Sequence, residues 1–390
     1  MLKLIQHSFV LILLLSLNQC TFTRAFKYNM ANIEDYKIFP NDTFASSKVP
    51  HVFARNQDPK LGQYITIKPK VKNQKLDKCQ TLDNYIKNSF PLGMMIIKND
   101  TILYEKYDKG FNETSLLPSF SMIKSIGIFP LVGIAIKEGK INSLDDPIKL
   151  YLKNLNPKLD TSITIRHLLN MTSGIKESKM PFSPTSSGVI HYYTQNLNKQ
   201  IPKIKSKRPP GELFMYSATS STLLLGEILE HTYQAPLGQL FNDKIWSKLG
   251  MQAEGLWSKD HKNGRVKPFC CFNTTMSNYA RLARLFANNG NWNGEQVFPK
   301  DWLSELQKPE NNTSDVNPKI NDPNSRHYYA MHWFVNKQKP QVYKAAGFLS
   351  QHIIFFPDEN AYIITFSKLN GMRYNKNFCD IYFDIVSQLP

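Results

Sequence analysis

Hydrophobic positions along the chain form short continuous runs near residues 92–107 and 342–367, with helically spaced sets between them. The runs 92–98 and 102–107, joined through Asn99-Asp100, predict a β-hairpin. From Ser121 the period changes: Met122, Ile123, Ile126, Phe129, Val132, Gly133 and Ile136 recur at helical spacing and Gly139 supplies a stop. That helix, 121–138, is apolar almost all round and is therefore expected to be buried. Helical segments and loops follow from 144 to about 291, including 165–171 and 221–231. Strand signals return at 342–347, 351–356 and 361–367, before a terminal helix over about 375–388. The pattern predicts one domain whose sheet is split in sequence by a mainly helical insertion.

The N-terminus changes this picture at one end. Lys3 precedes the apolar run Phe9-Val10-Leu11-Ile12-Leu13-Leu14-Leu15, too short to span a bilayer but right for a signal-peptide core. Residues 1–25 read as a signal peptide with Thr23-Arg24-Ala25 as the cleavage site, and Leu17-Asn18-Gln19-Cys20 as a loose lipoprotein signal. The mature protein is expected to be exported, periplasmic or extracellular, either free or lipid-anchored at Cys20. Residues 26–78 are polar and proline-interrupted, an extended arm ahead of a domain over 79–390.

A net charge of +17 raises the question of nucleic acid. The lysines are scattered among asparagines, as in Lys68-Pro69-Lys70-Val71-Lys72-Asn73, with no aromatic-plus-basic signature, so association with an anionic envelope or membrane surface fits better. No Cys-x-x-Cys or His-Glu-x-x-His spacing occurs, so neither a metal nor a cofactor is expected. Cys79, Cys270, Cys271 and Cys379 would enter an oxidising compartment, where Cys79 and Cys379, near opposite ends of the domain, could pair.

The candidate chemistry is a serine and a lysine. Ser121-Met122-Ile123-Lys124 puts a hydroxyl and an amine on one helix face, one turn apart. A lysine made neutral by burial can take the serine proton, and the first-turn backbone N–H groups point where an oxyanion would develop. Ser173-Gly174-Ile175-Lys176 repeats the spacing inside a turn-like loop, whereas Ser121 opens a buried helix. Tyr216 ends a proline-rich loop and precedes a helix, so its phenol is a candidate proton carrier.

In order, these segments resemble the motifs of the serine β-lactamase and penicillin-binding protein superfamily. Ser121 to Lys124 resembles its first motif (SxxK), Tyr216-Ser217-Ala218 its second, and Ala345-Ala346-Gly347 its third. Leu168-Leu169-Asn170-Met171-Thr172-Ser173-Gly174 resembles its Leu-Leu-x-x-Thr-Ser-Gly loop. The stretches Pro268-Phe269-Cys270-Cys271, Tyr279 through Trp302, and Gly347-Phe348-Leu349-Ser350-Gln351 point to the class C-like branch with esterases and 6-aminohexanoate-dimer hydrolases.

The resemblance covers about residues 80–388 and implies an α/β (α+β) fold of the β-lactamase/transpeptidase type. That fold is a five-stranded antiparallel sheet flanked by helices beside an all-helical lobe. It implies Ser121, Lys124 and Tyr216 as the catalytic set, the backbone N–H groups of Ser121 and Phe348 as the oxyanion hole, and Ala218, Ala345 and Gly347 as substrate-binding positions. Two departures bear on substrate. Ala218 stands where the second motif carries Asn, and Ala345 where the third begins with Lys or His; Lys344 should point to the opposite strand face. The expected function is a serine hydrolase that opens a small amide or ester through an acyl-enzyme. The alternatives are a penicillin-binding D-Ala-D-Ala carboxypeptidase, a class C-like β-lactamase, or a non-catalytic envelope-binding protein. An α/β-hydrolase triad lacks its Gly-x-Ser-x-Gly elbow here.

Overall fold

The computed structural model describes residues 21–67, 79–88, 91–178, 183–308, 327–368 and 378–390. The apolar run of the expected signal segment lies outside the described residues. The strands that matter are β1 (Asn41–Phe44), β2 (Ala54–Arg55), β3 (Pro91–Lys98), β4 (Thr101–Tyr107), β5 (Leu117–Pro118), β6 (Gly255–Ser258) and β7 (Phe272–Thr274). They are followed by β8 (His327–Ala330), β9 (Trp333–Asn336), β10 (Tyr343–Gly347), β11 (Gln351–Phe356) and β12 (Ala361–Ser367). The main helices are α1 (Phe129–Lys137), α2 (Ser220–Tyr233), α3 (Met276–Ala287) and α4 (Phe378–Val386).

The main sheet runs β8-β9-β10-β11-β12-β3-β4-β2. It is split in sequence as the hydrophobic runs require, and among the described residues it has eight strands where five were expected. Strands β10, β11, β12, β3 and β4 make the antiparallel centre. The hairpin β8–β9 extends one edge and the two-residue β2 pairs in parallel at the other. The β8–β9 hairpin escapes sequence reading because its turn is Met331-His332, both in the left-handed region at φ +51° and +69°. Two-residue turns of that kind normally announce themselves with Asn or Gly.

Strand β3 is buried on both faces. Met95 and Ile97 join the larger core with the helical lobe, while Met94 and Ile96 join a second core with Tyr382, Ile385 and Val386 of α4. This two-sided burial is why these strands read as unbroken apolar runs rather than alternating ones.

The insertion is less purely helical than its periodicity suggests. A second sheet, β1-β6-β7-β5, stands within it, and its first strand comes from the N-terminal arm. Strand β1 pairs antiparallel with β6, which places Phe44 against Phe241, Trp246, Trp257 and Phe272. Among the described residues the disulfide joins Cys270 to Cys271, and Cys79 is free and exposed, so the Cys79–Cys379 pairing that the sequence left open is not the one formed. Adjacent cysteines bridge because a turn, rather than the closeness of the chain ends, brings their sulfurs together.

Phe44 is 3% exposed, so Phe44→Ala should remove an aromatic anchor that ties the arm to the lobe. The expected loss is about 3–5 kcal/mol, read as a fall in the denaturant midpoint of the cooperative unfolding transition.

Candidate active site

Phe120, just before Ser121, has φ +41°, a left-handed conformation uncommon for a bulky residue. Ser121 itself lies in a turn and is half-buried, so its hydroxyl stays within reach of solvent. The expected helix over 121–138 is not uniform: residues Lys124–Ile128 form a π-helical turn before α1. Pro130 explains the widening, because its ring has no N–H for the carbonyl of Ile126 and would clash with it in a regular α-helix.

Lys124 is 1% exposed. Its Nζ lies 2.8 Å from Ser121 Oγ, 3.4 Å from Tyr216 Oη and 2.8 Å from the carbonyl oxygen of Phe269. An ammonium has three N–H donors, and here each finds an acceptor. Burial nevertheless penalises the charge and lowers the Lys124 pKa from its ordinary 10.5 to about 7. Near neutral pH the amine therefore exchanges between a proton-holding and a proton-accepting form.

Tyr216 is placed by its neighbours in sequence and by a loop. Met215 N–H donates to the Met171 carbonyl and Gly211 N–H to the Thr172 carbonyl, which ties the 210–216 segment to the Leu-Leu-x-x-Thr-Ser-Gly loop. Behind it, Ser217 Oγ donates to Glu177 Oε1 at 3.1 Å and accepts from the N–H of Ser221 at 2.9 Å. Glu177 also receives the Ser187 hydroxyl. Burial raises the carboxyl pKa of Glu177, and the bonds from Ser187, Ser220 and Ser217 oppose that shift. Ser173 of the second Ser-x-x-Lys match is buried against Ser221, 3.2 Å between hydroxyl oxygens, while Lys176 is exposed, so the two do not form a second site.

On the sheet side, β10 presses on the turn that carries Ser121. A Cβ at Gly347 would stand 2.2 Å from the Ser119 carbonyl oxygen, so only glycine allows this approach. The Phe120 and Phe348 rings then meet edge to face at 5.6 Å, bracing the two residues expected to carry the oxyanion donors. Ala345 is fully buried on the same face as Gly347. Lys344 stands over Phe334, on the face covered by α4, outside the site as strand alternation requires. Ala218 is half-buried just ahead of α2.

Sequence reading missed three contributors. Phe269 supplies a backbone carbonyl, which has no side-chain signature. Tyr329 meets the Tyr216 ring edge to face at 5.8 Å. His332, 2% exposed, approaches from the β8–β9 turn: its carbonyl accepts from Ser125 Oγ at 2.7 Å and its Nδ1 lies 3.4 Å from Tyr329 Oη. Burial, and then the charge of Lys124, push the His332 pKa well down, so this imidazole is neutral beside the amine. Among the described residues no group of three His, Cys, Asp or Glu could hold a metal ion.

A split sheet beside a helical lobe, with Ser-x-x-Lys at the head of the central buried helix, defines the penicillin-recognising class of folds. The chain belongs to the β-lactamase family, whose sequence model matches residues 92–377. Solved structures agree on the fold. A candidate 6-aminohexanoate-dimer hydrolase from Bacillus anthracis superposes with a TM-score of 0.76 at 17% identity, covering 92% of this chain and 94% of that one. A candidate β-lactamase from Bacteroides dorei gives 0.64 at 17% identity, covering 79% and 97%. A penicillin-binding protein from Bacillus halodurans gives 0.57 at 15% identity, covering 76% and 95%. Among curated proteins no relative matches.

The depressed pKa of Lys124 sets a measurable sign. Between pH 7 and 10.5 the unfolded chain holds a proton on this lysine that the folded chain has released, so this group makes folding more favourable as pH rises through that window. Relative to Lys124→Met, the wild type should gain stability across it by up to about 1.4 kcal/mol per pH unit, measured by urea unfolding of both proteins. Parallel stability curves would refute the shift.

Proposed function

We propose that the protein is a serine hydrolase that opens a small amide or ester bond through an acyl-enzyme on Ser121. The observation that carries this reading is the buried Lys124 amine 2.8 Å from the Ser121 hydroxyl, with a pKa lowered to about 7. Tyr216, assisted by Lys124, takes the Ser121 proton as Oγ attacks the substrate carbonyl. The tetrahedral oxyanion is received by the backbone N–H groups of Ser121 and Phe348, and the same proton is returned to the leaving group. Water then enters, the groups reverse roles, and the acyl chain leaves as a carboxylic acid.

Ala218 and Ala345 offer neither an amide nor a cation to the substrate. A β-lactam or stem-peptide carboxylate would meet no charge from these two positions, whereas a neutral acyl group loses nothing there. This favours an amidase or esterase of the 6-aminohexanoate-dimer-hydrolase kind over a D-Ala-D-Ala carboxypeptidase or β-lactamase. The apolar segment at residues 9–15 supports an exported protein as the working setting.

The deciding experiment is intact-mass analysis of the mature protein after exposure to a fluorophosphonate and, separately, to a penicillin, with peptide mapping of any adduct. The expected result is fluorophosphonate on Ser121, no lasting penicillin adduct and no rapid penicillin turnover. A lasting penicillin adduct on Ser121 would move the protein to the cell-wall enzymes, and no adduct from either probe would favour a non-catalytic binding role. Ser121→Ala should abolish labelling, and Tyr216→Phe should slow it about 10²–10⁴-fold with the fold intact by circular dichroism.

A further inference from the structure

Phe269 donates no side chain to the site, yet its carbonyl is one of the acceptors that hold Lys124. What fixes that carbonyl is the chain on either side of it. Cys270 N–H donates to the Lys267 carbonyl at 3.2 Å, closing a turn with Phe269 in its third position. The Trp257 indole N–H spans that turn, donating to the carbonyls of Lys267 at 2.9 Å and Cys270 at 3.0 Å. The Cys271 carbonyl accepts from Ser258 N–H and from Asn273 Nδ2, both at 3.0 Å. Between these anchors the adjacent cysteines are bonded to each other, and Cys271 sits at φ +72°, in the left-handed region that residues with a Cβ avoid. Bridging neighbouring residues closes a small ring through the Cys270–Cys271 peptide group, which fixes ψ of Cys270 and φ of Cys271 and so restrains the chain one residue beyond the Phe269 carbonyl.

We propose that the Cys270–Cys271 disulfide is a reducible clamp on the Phe269 carbonyl, through which a dithiol reductant lowers the reactivity of Ser121 and reoxidation restores it. The inference rests on the reading of Ser121 and Lys124 as the acylating pair. Both cysteines are buried, with 6% and 5% of their surface exposed, so the clamp also requires that a small dithiol reach them in the folded protein.

The chemistry is thiol–disulfide exchange. A thiolate of the reductant attacks one sulfur, the other leaves as a thiolate, and the second thiol of the reductant then closes on the mixed disulfide. Two electrons and two protons pass to Cys270 and Cys271, and the dithiol becomes a cyclic disulfide. With the ring open, nothing covalent holds Cys271 left-handed, and the 269–271 backbone relaxes away from Lys124. The amine then loses one acceptor while keeping Ser121 and Tyr216. His332 faces it from the β8–β9 turn and is unmoved. A carbonyl acceptor favours the charged amine, so its loss lowers the Lys124 pKa further and moves the acid limb of the Ser121 pH profile to lower pH.

The test measures fluorophosphonate labelling of Ser121 from pH 5.5 to 9 in the mature protein as isolated, after dithiothreitol and after reoxidation, with iodoacetamide mapping of the thiols. Reduction should slow labelling about tenfold or more, shift the acid limb downward and be reversed by reoxidation, with unchanged far-ultraviolet circular dichroism. Cys270→Ser with Cys271→Ser should label as slowly as the reduced wild type and ignore dithiothreitol, whereas Cys79→Ser should keep the full response. Equal rates and limbs for the two redox forms, or a pair that the folded protein shields from dithiothreitol, would overturn the clamp. Absence of Ser121 labelling in the oxidised protein would instead remove the acyl-enzyme reading on which it depends.

Discussion

Lys124 places a charged group where water cannot reach it, and the surrounding fold is organised around that cost. An isolated ammonium in an apolar interior is tolerable only if its donors are met or its proton is released. The site does both: three oxygens surround Nζ, and burial brings the pKa to about 7. Each oxygen comes from a different part of the chain. Ser121 lies in the turn ahead of the π-helical segment, Tyr216 in the loop before α2, and Phe269 in a turn between β6 and β7. Holding one amine therefore requires the sheet-bound helix, the helical lobe and the small second sheet to be in register together.

The double burial of the main sheet supplies the rigidity this needs. Because α4 covers one face and the larger core the other, strands β3, β11 and β12 have no solvent side toward which to relax. Strand β10 can then bring Gly347 against the Ser119 carbonyl and keep Phe348 beside Phe120. In a sheet open to water on one face, the same close backbone approach would be free to spread. The arm contributes to the same end, since β1 and Phe44 complete the second sheet that positions the 267–274 segment.

What the sequence revealed and what it hid divide along a physical line. Continuous apolar runs disclosed β3, β11 and β12, because two-sided burial demands apolar residues whatever else happens, and Asn99-Asp100 disclosed β4 as the hairpin partner of β3. Ser121, Lys124 and Tyr216 were legible because their chemistry resides in side chains at characteristic spacings. The β8–β9 hairpin, with Tyr329 and His332, was not, since Met331-His332 turns left-handed without Gly or Asn and carries no turn signature. The 267–271 turn was hidden for a related reason: it acts through a backbone carbonyl and a bond between neighbouring cysteines. The count of five strands failed at the sheet edges, where β2 and the β8–β9 hairpin are short and their pairing depends on tertiary contacts.

The backbone itself marks the same region. Phe120, Cys271, Met331, His332, Leu349 and Ser350 all have positive φ without being glycine, and each borders the serine, the lysine or the turn beyond Gly347. Such conformations persist only where the surroundings over-determine them. Here the surroundings are two cores, the Trp257 indole bridge and Gln351, whose side chain is fully buried and bonds the Leu349 and Ser367 carbonyls. Left-handed positions anchored from several chain segments suit a site in which backbone N–H and C=O groups must be aimed.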